Sequence, residues 1–346
     1  MNNDPNVTES ATRRGYLHWV ISAAISAALV YYLMRRIELR DLLDTLRNVH
    51  LPSLALFVAV SLAGLGARVT RYWLLLEVRP SWRDLALVTL VRNCLVDLLP
   101  ARLGSLSFVY LATTRLNVPV QDSLATFFLA LVFDMVAIAP LLMLAILVVG
   151  GAVSTGGTAL AVLAGALLVV SVVAVALMAP VLDFGATVMD RCGAGNRLGR
   201  VELWTRLSRL AVDTAAQVRE VRQRGVLLPV LLVSLLVRIF KFGAYYVLLQ
   251  AVLIPHGMVW GTLNVFEVFL GVAGAELSAT LPIHGIAGLG TYEAAWALGF
   301  TQLGFAEELA ILSGFATHLI SQVYDYGLGL AALLWIMRPG FRQSND

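Results

Sequence analysis

Apolar positions fall in long unbroken runs along most of this chain, rather than alternating with polar ones. Runs of about 20 such residues are what a helix needs to cross a bilayer. The first predicts a helix over 16–34. It ends in Arg35-Arg36 and not at a small-residue cleavage site, so Arg13-Arg14 ahead of it reads as the flank of an uncleaved helix rather than an export signal. Over 38–50 the pattern changes. Leu39, Leu42, Leu43, Leu46 and Val49 recur at helical spacing, while Glu38, Arg40, Asp41, Asp44 and Arg47 take the other side. That is the pattern of a helix lying in the membrane interface.

The next run extends from Leu51 to about Val78 and carries Arg68 and Arg71 in its last third, where a plain lipid-facing helix would carry no charge. Residues 84–117 do not read as two ordinary spans. Arg92, Asp97, Arg102 and Arg115 interrupt two short helical segments separated by Leu99-Pro100-Ala101-Arg102-Leu103-Gly104, which predicts a broken, re-entrant hairpin. Spans follow over about 121–149 and 158–181, joined by an uncharged Gly/Ser/Thr turn. Between 185 and 225 the chain leaves the membrane. Arg191, Arg197, Arg200, Arg206, Arg209, Arg219, Arg222 and Arg224 face Asp190, Glu202, Asp213 and Glu220 there, which predicts a cytoplasmic segment.

The last third repeats the earlier order. A span over about 226–254 carries Arg238 and Lys241, a second broken pair surrounds Leu281-Pro282 and Gly285 to Gly290, and a final span covers 309–337. Two repeats, 52–149 and 226–337, are therefore expected. If 185–225 is inside, counting spans makes them inverted, with a substrate site where the broken helices meet. Under that count the basic 35–50 segment lies outside, against the positive-inside rule, while Glu307-Glu308 lies outside and the C-terminus inside.

Composition narrows the class. Of the 346 residues, 59% are hydrophobic and 14% charged, against about 25% charged in soluble domains; the mean hydropathy is +0.81. A polytopic all-α membrane protein forming one membrane domain is expected. The net charge of +3 comes from 24 Arg and the single Lys241 against 22 acids, and suits cytoplasmic loops facing anionic headgroups rather than nucleic acid. Cys94 and Cys192 lack metal-ligand spacing, as do His256, His284 and His318, so no metal or cofactor is predicted.

Charged side chains inside the bilayer cost about 2.5–3.5 kcal/mol each on insertion scales, so several require partners or a polar cavity. They either pair internally and hold the broken helices together, or line a functional cavity. For the second reading, the lipid-phosphate candidates are Arg71, Arg102, Gly104, Arg238, Lys241, His284, Gly288 and Gly290, and the cavity acids are Asp97, Glu276 and Glu293. Arg102 and the glycines precede helices whose first N–H groups can hold an anion. Tight packing is the alternative for the glycines.

At Arg71-Tyr72-Trp73-Leu74-Leu75-Leu76, at Leu99 through Gly104, and at Leu281-Pro282 through Gly288-Leu289-Gly290-Thr291-Tyr292-Glu293, the chain resembles the lysylphosphatidylglycerol synthase transmembrane-region family, also called flippase-like membrane proteins. The resemblance covers roughly residues 15–338. The family pattern at the first break is Pro-Gly-Arg-Leu-Gly-Glu, and here Ala101 stands for its first Gly and Ser105 for its Glu. The resemblance implies a bacterial inner-membrane protein that moves a phosphate-bearing phospholipid or polyprenyl-linked lipid. The alternative it implies is a non-catalytic subunit serving a lipid-modifying enzyme or glycosyltransferase. The soluble aminoacyltransferase half of bifunctional members is missing from these residues, so an enzyme is not expected.

Overall fold

In a computed structural model the apolar runs fold as helices, and no strand occurs among the described residues. Those are residues 24, 26–98, 104–149, 202–278 and 288–338, with scattered helical positions between 162 and 188. The elements are α1 (26–34), α2 (Leu39–Arg47), α3 (Leu51–Leu75), α4 (Trp82–Leu98), α5 (Ser107–Arg115), α6 (Val120–Val149), α7 (positions within 162–188), α8 (Glu202–Gln223), α9 (Leu227–Leu253), α10 (Val265–Ser278), α11 (Thr291–Gln302) and α12 (Glu307–Ile336). Among the described residues four helices are long and apolar enough to span a membrane: Leu51–Leu75, Val120–Val149, Leu227–His256 and Glu307–Ile336. The breaks at 99–103 and 279–287, which contain Arg102 and His284, lie outside the described residues, as do the side chain of Asp97 and most of the predicted 158–181 span.

Contacts divide the chain into two compact units. One comprises residues up to Phe57, Cys94–Gly104 and Tyr245–Tyr326; the other comprises Val58–Asn93, Ser105–Ala244 and the residues from Gly327. Helices α3, α4, α9 and α12 contribute residues to both.

In the first unit the amphipathic helix α2 is seated by its polar and apolar positions together. Leu42 and Thr45 are buried, and His256 Nε2 lies 2.8 Å from Thr45 Oγ1. The start of α3 is tied to the end of α9, where His50 N–H donates to the Ala251 carbonyl at 3.0 Å. Arg36, after α1, lies 3.7 Å from Glu307 at the start of α12. Helix α10 packs against α11. A Cβ on Gly271 would stand 2.6 Å from the Phe300 ring, so glycine sets how closely these helices approach. Trp296, fully buried, stacks on Phe300 with ring centroids 4.5 Å apart and donates Nε1–H to Ser313 Oγ at 3.2 Å.

In the second unit α6 packs against α5 and α8. The corner between α3 and α4 is fastened from two sides. Arg224, just past α8, donates to the carbonyls of Leu74, Leu75 and Leu76 at 2.9–3.3 Å, and thus satisfies acceptors that a helix C-terminus leaves open. Asp122, in the first turn of α6, accepts the N–H of Glu77 at 3.0 Å. Helix α4 then starts in a reciprocal cap: Ser81 Oγ accepts the Asp84 N–H at 3.2 Å and donates to its carboxylate at 2.6 Å. Arg83 and Arg338 both lie against the Trp335 ring, 5.0 and 4.3 Å from its centroid.

Candidate functional site: a buried arginine cluster

The charged positions of α3, α4, α6 and α9 converge within the second unit. Helical spacing puts Arg68 and Arg71 on one face of α3, since residues three apart are neighbours on a helix surface. Arg71, 1% exposed, donates to Asp134 Oδ1 on α6 at 2.6 Å. Its second contact, to Ser234 Oγ on α9, is 3.4 Å long. One turn after Ser234, Arg238 Nη2 lies 3.3 Å from the same Asp134 oxygen. Arg68 donates to Asn93 Oδ1 on α4 at 2.7 Å, and Arg92 reaches that oxygen at 3.3 Å. Arg68 is also within electrostatic reach of Arg92, Arg71 and Asp134. Tyr72, buried, packs on Phe108 and lies beside Arg68, Arg71 and Arg92.

Three guanidinium groups, of Arg71, Arg238 and Arg68, thus gather around the Asp134 carboxylate, with Arg92 beside Arg68. Among the described residues the arginines here outnumber the carboxylates in contact with them. Donors are also left over: the buried Nε–H groups of Arg71, Arg92 and Arg238 have no hydrogen-bond partner. Leaving a buried charged donor unmatched costs more than the usual 1–3 kcal/mol for a neutral group. Arginine forks match phosphate oxygens two at a time, and the low dielectric strengthens that match. The arrangement is chemically equipped to hold an anion with several oxygens.

Of the residues singled out from sequence, Arg71 and Arg238 come together on Asp134. Lys241, half-buried on α9, follows Arg238 by three positions and is itself engaged. Gly104 is buried in a short turn before α5, and Gly288 is buried before α11. Gly290 has φ of +89°, and a Cβ there would stand 2.8 Å from the Ser26 carbonyl oxygen. Its N–H donates to Glu293 Oε2 at 2.6 Å. Packing and capping therefore both account for glycine at this position. Glu276 on α10 is half-buried and engaged. Glu293, fully buried in the first unit, also accepts from His318 Nδ1 at 2.5 Å.

Among the described residues Arg71 and Arg238 are the ones on Asp134, and Arg92 shares Asn93 with Arg68; the Asp97 side chain lies outside the described residues. Asn93, Ser234 and His318 carried no local signal, since each is defined by a partner on a distant helix.

These helices and their buried charges define a polytopic α-helical integral membrane protein. The family model described as the lysylphosphatidylglycerol synthase TM region matches residues 19–329, and the chain belongs to that family, as its three motifs implied. Comparison with curated proteins gave no match. Family membership gives the protein a membrane lipid-related function.

Proposed function

We propose that this protein is a lipid translocase that passes the phosphate-bearing headgroup of a membrane lipid through its polar interior while the acyl or prenyl tails stay in the bilayer. The observation that carries the reading is the excess, among the described residues, of the buried Arg71 and Arg238 and the half-buried Arg68 and Arg92 over Asp134, with three of them keeping a buried, unpartnered Nε–H. A polar route for the headgroup alone avoids the largest apolar cost, about 0.8 kcal/mol for each CH₂ left in water. In this reading Arg102 captures the phosphate at the first break, and Arg71, Arg238 and Lys241 receive it. Gly104, Gly288, Glu276 and Glu293 are further candidates of this reading, as are His284 and Asp97, whose side chains lie outside the described residues.

Helix direction supports two inverted repeats. In the first unit the start of α3 meets the end of α9, so these two corresponding spans run in opposite senses. In the second, the beginning of α4 meets the end of α12 through Arg83 and Trp335. The positive-inside rule applied to the eight-Arg segment supports a cytoplasmic α8 and C-terminus in this reading.

Proteoliposomes carrying headgroup-labelled phosphatidylglycerol test the reading, with an impermeant quencher reporting the fraction of label still outside. Wild-type protein should accelerate movement over empty liposomes. Arg71→Ala and Arg238→Ala should slow it roughly tenfold or more, because a lost charge-assisted hydrogen bond costs about 1.5–3 kcal/mol. Arg71→Lys, which keeps the charge, should retain part of the rate. Wild-type rates equal to those of empty liposomes with phosphatidylglycerol and with a polyprenyl phosphate would overturn the proposal.

A further inference from the structure

The four arginines of the second unit are not equivalent. Arg71, 1% exposed, and Arg238, 8% exposed, both rest on Asp134, at 2.6 and 3.3 Å, so a carboxylate already faces them. Arg68 and Arg92 stand differently. Both are half-buried, and both donate to Asn93 Oδ1, at 2.7 and 3.3 Å. That atom belongs to a neutral amide, and among the described residues no carboxylate touches either guanidinium. Asp134 acts on Arg68 only through space.

Sharing one oxygen holds two like charges side by side, and Arg68 is opposed by Arg92 and by Arg71. An amide dipole offsets little of that repulsion. The pair also has donors left over, since each guanidinium carries five N–H groups and the Arg92 Nε–H is buried without a partner. Half-burial gives these two side chains the access to a ligand that Arg71 and Arg238 lack.

The number of oxygens then selects the ligand. A phosphodiester has two terminal oxygens and one negative charge, enough to fill one arginine fork. A phosphomonoester has three terminal oxygens and a charge of about −1.5 to −2 near pH 7, so two forks can each take a pair of oxygens by sharing one. Its charge also matches the two cations that no carboxylate contacts. A singly charged headgroup leaves one of them uncompensated in a partly desolvated setting.

We infer that Arg68 and Arg92, held together by Asn93, form a subsite for a terminal phosphate, which makes lipids ending in a phosphomonoester the preferred substrates over phosphodiester lipids. This rests on the translocase reading and narrows its substrate class. Asn93 is a positioning residue: its oxygen holds the two forks together and, being neutral, leaves their charge to the ligand.

Native mass spectrometry of the full-length protein in detergent, titrated with phosphatidate and with phosphatidylglycerol of the same acyl chains, reads the two affinities. The wild type should bind phosphatidate roughly tenfold or more tightly, the worth of one charge-assisted hydrogen bond. Asn93→Asp is nearly isosteric and puts a carboxylate on both arginines, so it should melt no lower than wild type and lose the preference. Arg92→Lys keeps the charge without the fork and should lower the ratio as well. Equal wild-type affinities overturn the subsite, and so does a ratio unchanged in both variants. Glycerol phosphate, a soluble phosphomonoester, should displace phosphatidate only in large excess; displacement at equal concentration would assign the subsite to soluble phosphate esters and overturn the lipid.

Proteoliposomes separate this inference from the reading beneath it. Unlabelled phosphatidate should slow the movement of labelled phosphatidylglycerol more than unlabelled phosphatidylglycerol does. Lipid movement without any preference for phosphatidate overturns the subsite and leaves the translocase. Preferential binding with no movement of either lipid overturns the translocase and leaves a lipid-phosphate site.

Discussion

Arg71 on α3 and Asp134 on α6 meet at 2.6 Å across 63 residues of sequence, with the arginine 1% exposed. Removing one partner of such a buried pair leaves the other charge without compensation, at a cost of about 3–5 kcal/mol. Asp134→Ala exposes Arg238 to the same penalty, because Arg238 lies on the same oxygen. Thermal unfolding in detergent should therefore show Asp134→Ala as severely destabilised and Arg71→Ala/Asp134→Ala as partly restored. Equal melting of Asp134→Ala and wild type would mean the arginines have other neutralising partners.

The surplus arginines should behave in the opposite way. Arg92 shares the Asn93 oxygen with Arg68 and sits beside it, with no carboxylate in contact among the described residues. Arg92→Gln relieves like-charge repulsion and is expected to raise the melting temperature of the ligand-free protein by the equivalent of roughly 1 kcal/mol. Stabilisation by added phosphatidylglycerol, which follows from ligand binding to the folded state alone, should shrink in the same variant. A variant that melts lower and still gains the full lipid stabilisation would assign Arg92 to structure.

Glycine has two distinct uses in the helices around Glu293. At Gly290, φ of +89° and the Ser26 carbonyl 2.8 Å from an added Cβ both oppose a side chain. Gly290→Ala should cost about 1–3 kcal/mol. Gly274, exposed on α10, has nothing within 4 Å of an added Cβ, so Gly274→Ala should be neutral or stabilising by about 0.5–1 kcal/mol. Side-by-side melting curves check both.

The spanning helices were legible because length and apolar composition are local properties: α3, α6, α9 and α12 fall where the long runs predict them. The helix over Leu39–Arg47 was equally legible from its two faces, and Leu42 and Thr45 are its buried positions. What the chain does not reveal is which charge meets which. Asp134 stands 63 residues from Arg71, and His318 stands 25 from Glu293, so neither pair leaves a periodicity. Arg71 and Arg238 could be singled out as costly, yet their common carboxylate appears only once three helices are packed. The same limit separated His318 from its partners: the sequence gives it no metal-ligand spacing, whereas the fold supplies a carboxylate and an amide.

Helix direction yields the last prediction. In the first unit Arg36 meets Glu307, Thr45 meets His256 and His50 meets Ala251. These contacts put the end of α1, the start of α3, the end of α9 and the start of α12 at one end of that unit. In the second unit Arg224 holds the end of α3, and Arg83 with Trp335 joins the start of α4 to the end of α12. If the arginine-rich segment is cytoplasmic, as proposed, the first group is expected to face outward and the second inward. In a background with Cys94 and Cys192 replaced by Ser, cysteines at the exposed positions Val259 and Glu308 should react with an impermeant maleimide in intact cells. Cysteines at exposed Arg79 and Arg222 should react only after permeabilisation. Reaction of positions 308 and 79 from the same side would contradict the path of α3 and α12 and remove the inverted repeat. A uniform exchange of sides would keep the repeat and reverse its orientation, placing the basic segment outside and the Arg35-Arg36 pair within.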